Sequence, residues 1–141
     1  MMKATTTDTA PAPVGAYPHS RRVGNLLFLS GVGPRSPGSN VIPGNVYAAD
    51  GSLTGYDIAA QCHQVFANVR AVLEASGVHW EDLIDVTVFL TDMQRDFATY
   101  NRVYAEYFEK TQPCRTTLGI SAVPTPIAIE LKCIAALPGE I

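Results

Sequence analysis

Ile127-Ala128-Ile129-Glu130-Leu131-Lys132-Cys133-Ile134-Ala135-Ala136 is the stretch on which the fold turns. Side chains along a strand alternate between faces, so Ile127, Ile129, Leu131, Cys133 and Ala135 form one unbroken apolar row. Such a row suits a strand packed beneath helices. The opposite row, Ala128, Glu130, Lys132, Ile134 and Ala136, mixes apolar groups with two charges, and that face must meet water or a neighbouring molecule.

Working back from this strand, residues 116–120 read as its Thr-rich companion, with Pro113 ending whatever helix comes before. Residues 84–90 alternate again: Val86, Val88 and Leu90 share one side, while Asp85, Thr87 and Phe89 share the other. Two helices are expected to cover the apolar side. The first is capped by Asp57, runs through Ile58, Cys62, Val65, Val69 and Val72 in alternating steps of four and three, and stops at Gly77. The second spans 97–108 with Phe97, Tyr100, Tyr104 and Tyr107 or Phe108 as its stripe, and Asp92 and Asp96 both qualify as its cap. Near the N-terminus, the runs 20–23 and 26–30 flank Gly24-Asn25, a two-residue linker that signals a β-hairpin. Between hairpin and first helix, residues 31–55 are dense in Gly, Pro, Asn and Ser, with turns expected at Pro43-Gly44 and Asp50-Gly51 and a short edge strand around 46–48. A connection of that length is often functional. The order ββαβαββ gives an α+β domain, a mixed sheet with two helices on one face, over residues 15–141 after a flexible lead-in at 1–14. Phe89, Ala128, Ile134 and Ala136 are expected beside Glu130 on the uncovered face, and apolar surface there suggests self-association.

The chain's 141 residues, 47% of them hydrophobic, fit one domain. Charged residues make up 16%, and the formal net charge of −3 leaves no broad basic face for a phosphate backbone, so nucleic acid is not an expected partner. No run reaches the ~18 apolar residues that cross a bilayer, and a soluble, cytoplasmic protein is expected. Cys62, Cys114 and Cys133 are odd in number and widely spaced, which suits reduced structural thiols.

Familiar catalytic signatures are missing: there is no Gly-rich phosphate loop, no Gly-x-Ser-x-Gly elbow and no Cys-x-x-Cys. His19, His63 and His79 lack metal-ligand spacing, so no metal is expected. Arg115, between Pro113-Cys114 and a Thr-rich strand, suits either a two-pronged grip on a carboxylate or an ordinary surface ion pair. Beside it, Cys114 is either structural or a thiol activated by the guanidinium. Glu130, in a strand otherwise filled with Ile, Ala and Leu, must be solvated, paired with Lys132 or Arg115, or raised in pKa for proton transfer.

Several segments in order resemble the RidA/YjgF family. They are Gly15-Ala16-Tyr17 and Leu29-Ser30-Gly31, then Asn68-Val69-Arg70-Ala71-Val72-Leu73, then Val86-Thr87-Val88-Phe89-Leu90-Thr91-Asp92. Asp96-Phe97-Ala98-Thr99-Tyr100-Asn101, Pro113-Cys114-Arg115-Thr116-Thr117, Pro124 and Ile129-Glu130-Leu131-Lys132 complete the likeness. The resemblance implies a chorismate-mutase-like α+β fold, a homotrimer with active sites between subunits, and cofactor-free hydrolysis of enamines and imines. In that scheme Arg115 binds the substrate carboxylate, Glu130 moves protons through water, and Tyr17, Ser30, Gly31 and Thr117 line the pocket. Thr117 stands where the housekeeping branch commonly has cysteine. The long loop 33–44 resembles the branch that deaminates 2-aminomuconate to 4-oxalocrotonate, and Arg35 on it is a candidate for a distal carboxylate. Two alternatives stay open: a broad deaminase of 2-iminobutanoate and 2-iminopropanoate, and a carboxylate-binding module without turnover.

Overall fold

The computed structural model describes residues 2–137. It opens with a strand where a flexible lead-in over 1–14 was expected: β1 (Met2–Thr5) pairs antiparallel with β2 (Ser20–Val23). The Thr- and Pro-rich composition hides this strand, because backbone pairing along the otherwise open edge of β2 places it rather than side-chain pattern. Ala10, also in the supposed lead-in, is 2% exposed and belongs to the core. The hairpin forms as expected between β2 and β3 (Leu26–Leu29), with Gly24 at φ 60° in its turn. Residues 31–55 contain a separate two-stranded hairpin of β4 (Val46–Tyr47) and β5 (Leu53–Gly55), which turns at Gly51 with φ 88°.

Helix α1 (Ile58–Ala75) has the expected cap, Asp57 accepting from the Ala60 N–H at 3.2 Å, and its chain reverses at Gly77, φ 74°. After a single 3₁₀ turn, β6 (Leu83–Leu90) buries Val86, Val88 and Leu90. Helix α2 (Met93–Phe108) starts earlier than the expected 97 because Asp92, not Asp96, is the cap, accepting from the Arg95 N–H at 3.1 Å. Asp96 is instead buried in the first turn, where Tyr56 donates a 2.5 Å hydrogen bond to it. Its stripe is Tyr100, Tyr104 and Phe108, while Phe97 is 39% exposed. Next comes β7 (Cys114–Gly119), then β8 (Ile129–Ala136).

The six-stranded sheet has the order β1-β2-β3-β8-β6-β7, all antiparallel except the parallel β6–β7 pair. Both helices lie on the face carrying Leu131, Cys133 and Ala135, none measurably exposed, and Phe66 of α1 meets Tyr104 and Phe108 of α2 edge-on. The result is the expected α+β arrangement. Ala128 precedes β8, is 2% exposed, and donates its N–H to buried Gln61 at 2.8 Å, so it adds no open apolar surface beside Glu130.

Candidate active site

Past Leu29 the chain leaves the hairpin but stays beside β8. Val32 exchanges two backbone hydrogen bonds with Leu131, 2.8 and 2.9 Å long, and so carries Gly31 against Glu130. The approach is close enough that a Cβ on Gly31 would sit 2.8 Å from Glu130 Oε2. Glycine is therefore demanded here by proximity rather than by a left-handed backbone.

Glu130 is half-buried on the face turned away from the helices, and burial raises its carboxyl above the ordinary carboxylate range. Neither pairing considered from sequence is realised. Lys132 donates to the Leu29 carbonyl, and the ion pair present among the described residues joins Arg95 to Asp96. Glu130 thus faces its cleft without an ion-pair partner among the described residues. That cleft encloses about 210 Å³ between Glu130, Tyr17, Gly31, Arg35, Thr125 and Ile127. A smaller recess of about 40 Å³ adjoins it over Ser30 and His19, sharing Tyr17, Gly31 and Arg35.

The walls are pinned by polar contacts. Ser30 Oγ donates to the Pro18 carbonyl at 2.7 Å, and the Tyr17 hydroxyl accepts from the Val14 N–H at 3.1 Å, which leaves its own proton available. His19 is buried, with Nε2 2.7 Å from the Pro11 carbonyl and Nδ1 accepting from the Thr7 N–H at 3.1 Å. Those two contacts hold the segment that supplies Ala10, Pro11, Ala12 and Pro13 to the recess wall, a role that the sequence reading of a flexible lead-in missed.

Arg115 and Thr117 do not join this cleft within one protomer. Register explains why: Arg115 stands opposite Val86 and Thr117 opposite Val88 in the parallel β6–β7 pair, both on the helix side of the sheet. Glu130 stands opposite Phe89, on the other side. The Arg115 guanidinium donates to Asn101 Oδ1 at 2.8 Å and lies 4.7 Å from the Tyr104 ring centroid. Thr117 bonds the Tyr100 hydroxyl at 2.8 Å. Cys114 is exposed on the same edge strand, while Cys62 and Cys133 are buried. No cluster of metal-ligating side chains occurs among the described residues, nor is any described helix long and apolar enough to cross a membrane.

A small α+β domain with an unpaired carboxyl and a tyrosine lining one cleft has the form of a small-molecule site. Residues 7–137 match the family described as Endoribonuclease L-PSP, and the chain belongs to this RidA/YjgF family. A RutC family protein of Pyrococcus horikoshii is 40% identical over 92% of this chain and 93% of its own. The 2-iminobutanoate/2-iminopropanoate deaminase of Escherichia coli is 33% identical, covering 96% and 98%. The crystal structure of E. coli TdcF with bound serine superposes with a TM-score of 0.81 at 31% identity, covering 95% of this chain and 98% of that one.

Proposed function

We propose that this protein hydrolyses enamine and imine carboxylates to oxo acids and ammonia, in the cytoplasm and without a cofactor. The observation that carries the reading is Glu130: a half-buried carboxyl, raised by desolvation, facing a cleft in which no cation pairs with it among the described residues. Such a group passes a proton at neutral pH more readily than an ordinary carboxylate. It protonates the enamine carbon to give the iminium ion, then takes a proton from the water that adds to the C=N bond. Passing that proton to nitrogen lets the carbinolamine expel ammonia, and the hydroxyl proton returns to Glu130 as the C=O bond forms. Tyr17 orients the water or the nitrogen from the opposite wall. The ribonuclease in the family's description finds little support, because 10 Lys and Arg against 13 Asp and Glu offer no basic stripe for a phosphate backbone.

Arg115 enters as the carboxylate anchor from a neighbouring subunit of a homotrimer, with Thr117 beside it. Two features support this. Arg115 and Thr117 lie on the open edge strand β7, and exposed Val14, Tyr17, Phe28 and Leu118 leave apolar surface that a second copy covers. The long 33–44 loop favours 2-aminomuconate as substrate, giving 4-oxalocrotonate. The similarity to the E. coli deaminase favours a second reading, broad clearance of 2-iminopropanoate and 2-iminobutanoate. Ammonia release from 2-aminomuconate, compared with release from freshly generated 2-iminopropanoate, tests both. A larger kcat/KM for 2-aminomuconate supports the first, a larger value for the imino acid the second, and no ammonia from either leaves only a carboxylate-binding module.

A further inference from the structure

Arg35 borders both parts of the cleft and is held from two directions. Its backbone is clamped by Asn68 of α1, a side chain 1% exposed, whose Nδ2 donates to the Gly33 and Arg35 carbonyls at 2.8 Å each. Gln64 orients that amide by donating to Asn68 Oδ1 at 2.9 Å. On the far side the Arg35 guanidinium spends one N–H on the Ala12 carbonyl at 2.6 Å, and Ala12 follows Pro11, which His19 holds. A guanidinium has five N–H donors, so four remain. No carboxylate takes them: among the described residues no ion pair involves Arg35, although Glu130 lines the same cleft.

Two opposite charges bordering one cavity would close it by pairing if their side chains could meet. Here the backbone clamp and the Ala12 contact hold Arg35 back. Much of the entropy of ordering a long side chain is thus spent on folding, before any ligand arrives. A planar fork with free donors, fixed in a cleft that it shares with an unpaired proton-transfer group, is built for a carboxylate remote from the reacting carbon.

We infer that Arg35 sets the specificity of the cleft for dicarboxylates, gripping the carboxylate distal to the reacting end. The inference rests on the proposed use of this cleft for carboxylate substrates, but its test needs no turnover. The probes are cis,cis-muconate and sorbate, conjugated six-carbon chains with two carboxylates and one, titrated calorimetrically into the intact protein and into Arg35→Gln and Arg35→Lys. Wild type should bind muconate on the order of 10- to 100-fold more tightly than sorbate, the range of a charge-assisted hydrogen bond. Arg35→Gln should bring that ratio close to one, and Arg35→Lys should leave it in between, since the charge stays and the fork is lost. Thermal unfolding of each variant checks that the fold is intact. A wild-type ratio near one, or a ratio that Arg35→Gln leaves unchanged, overturns the inference. Should the ratio collapse in Arg35→Gln while no imine or enamine yields ammonia, Arg35 keeps its role and the deaminase reading is what fails.

Discussion

Gly31→Ala puts the contact between the loop after β3 and the Glu130 carboxyl to a direct test. The new methyl carbon would stand 2.8 Å from Oε2 and 3.1 Å from Cδ, whereas ordinary contact begins at 3.4 Å. The carboxyl must withdraw by the difference, about 0.6 Å. Because the clash falls on the end of a flexible side chain, the fold should hardly notice. Rotating Glu130 off its preferred angles costs about 0.5–1.5 kcal/mol, and replacing Gly by Ala returns ~0.4–1 kcal/mol through the unfolded chain. Net stability should therefore stay within about 1 kcal/mol of wild type. Catalysis is far less tolerant, since displacing a reacting group by ~1 Å can cost 10²-fold. We expect kcat for ammonia release to fall by roughly 10- to 100-fold with the melting temperature almost unchanged. Glu130→Gln should lose ~10²- to 10⁴-fold, the usual contribution of a general acid–base group. If Gly31 acts only by giving Glu130 room, the double variant should be no slower than Glu130→Gln alone. A Gly31→Ala enzyme with wild-type kcat, or losses that multiply in the double variant, would refute this account of the close approach.

The raised pKa of Glu130 also has a consequence for stability. The folded chain holds that proton to higher pH than the unfolded chain does, so the contribution is complete below about pH 4.3 and is lost as pH rises through the folded value. Glu130→Gln should accordingly melt above wild type at pH 7, with the gap closing toward pH 4; a gap that does not vary with pH counts against a raised carboxyl. Thiol labelling separates the cysteines: burial pushes the Cys62 and Cys133 thiols up to about 12, while Cys114 is exposed. A thiol reagent at pH 8 should modify one cysteine per native chain and all three after denaturation, and prompt modification of two or more without denaturant would contradict the packing described.

Most of the layer structure was legible because it rests on periodicity. The odd row of β8, the stripe of α1 and the Gly24-Asn25 turn each declare themselves within a few residues. What stayed hidden depends on contacts between distant segments. Nothing in Met2–Thr5 announces a strand, since its place comes from the free edge of β2. Asn68 was visible only as part of a family-like segment, because its use in clamping Gly33 and Arg35 needs the helix and loop side by side. Alternation likewise placed Glu130 on the outer face of β8 but could not say which face Arg115 would share. That depends on the β6–β7 register, and the register sets Arg115 against Val86 while Glu130 stands against Phe89. A site that uses both groups must therefore draw them from different chains, which makes the proposed assembly testable by mixing. Arg115→Ala and Glu130→Gln, each inactive alone, should form hybrid assemblies when subunits are exchanged at equal ratio. A site with both groups intact needs its arginine from a Glu130→Gln chain and its carboxyl from an Arg115→Ala chain. Random mixing gives that pairing at about a quarter of the interfaces of a head-to-tail ring. Recovery of roughly a quarter of wild-type ammonia release is expected. If exchange is verified by mass and activity stays at the level of the parents, Arg115 does not complete the cleft of Glu130 from a neighbouring chain.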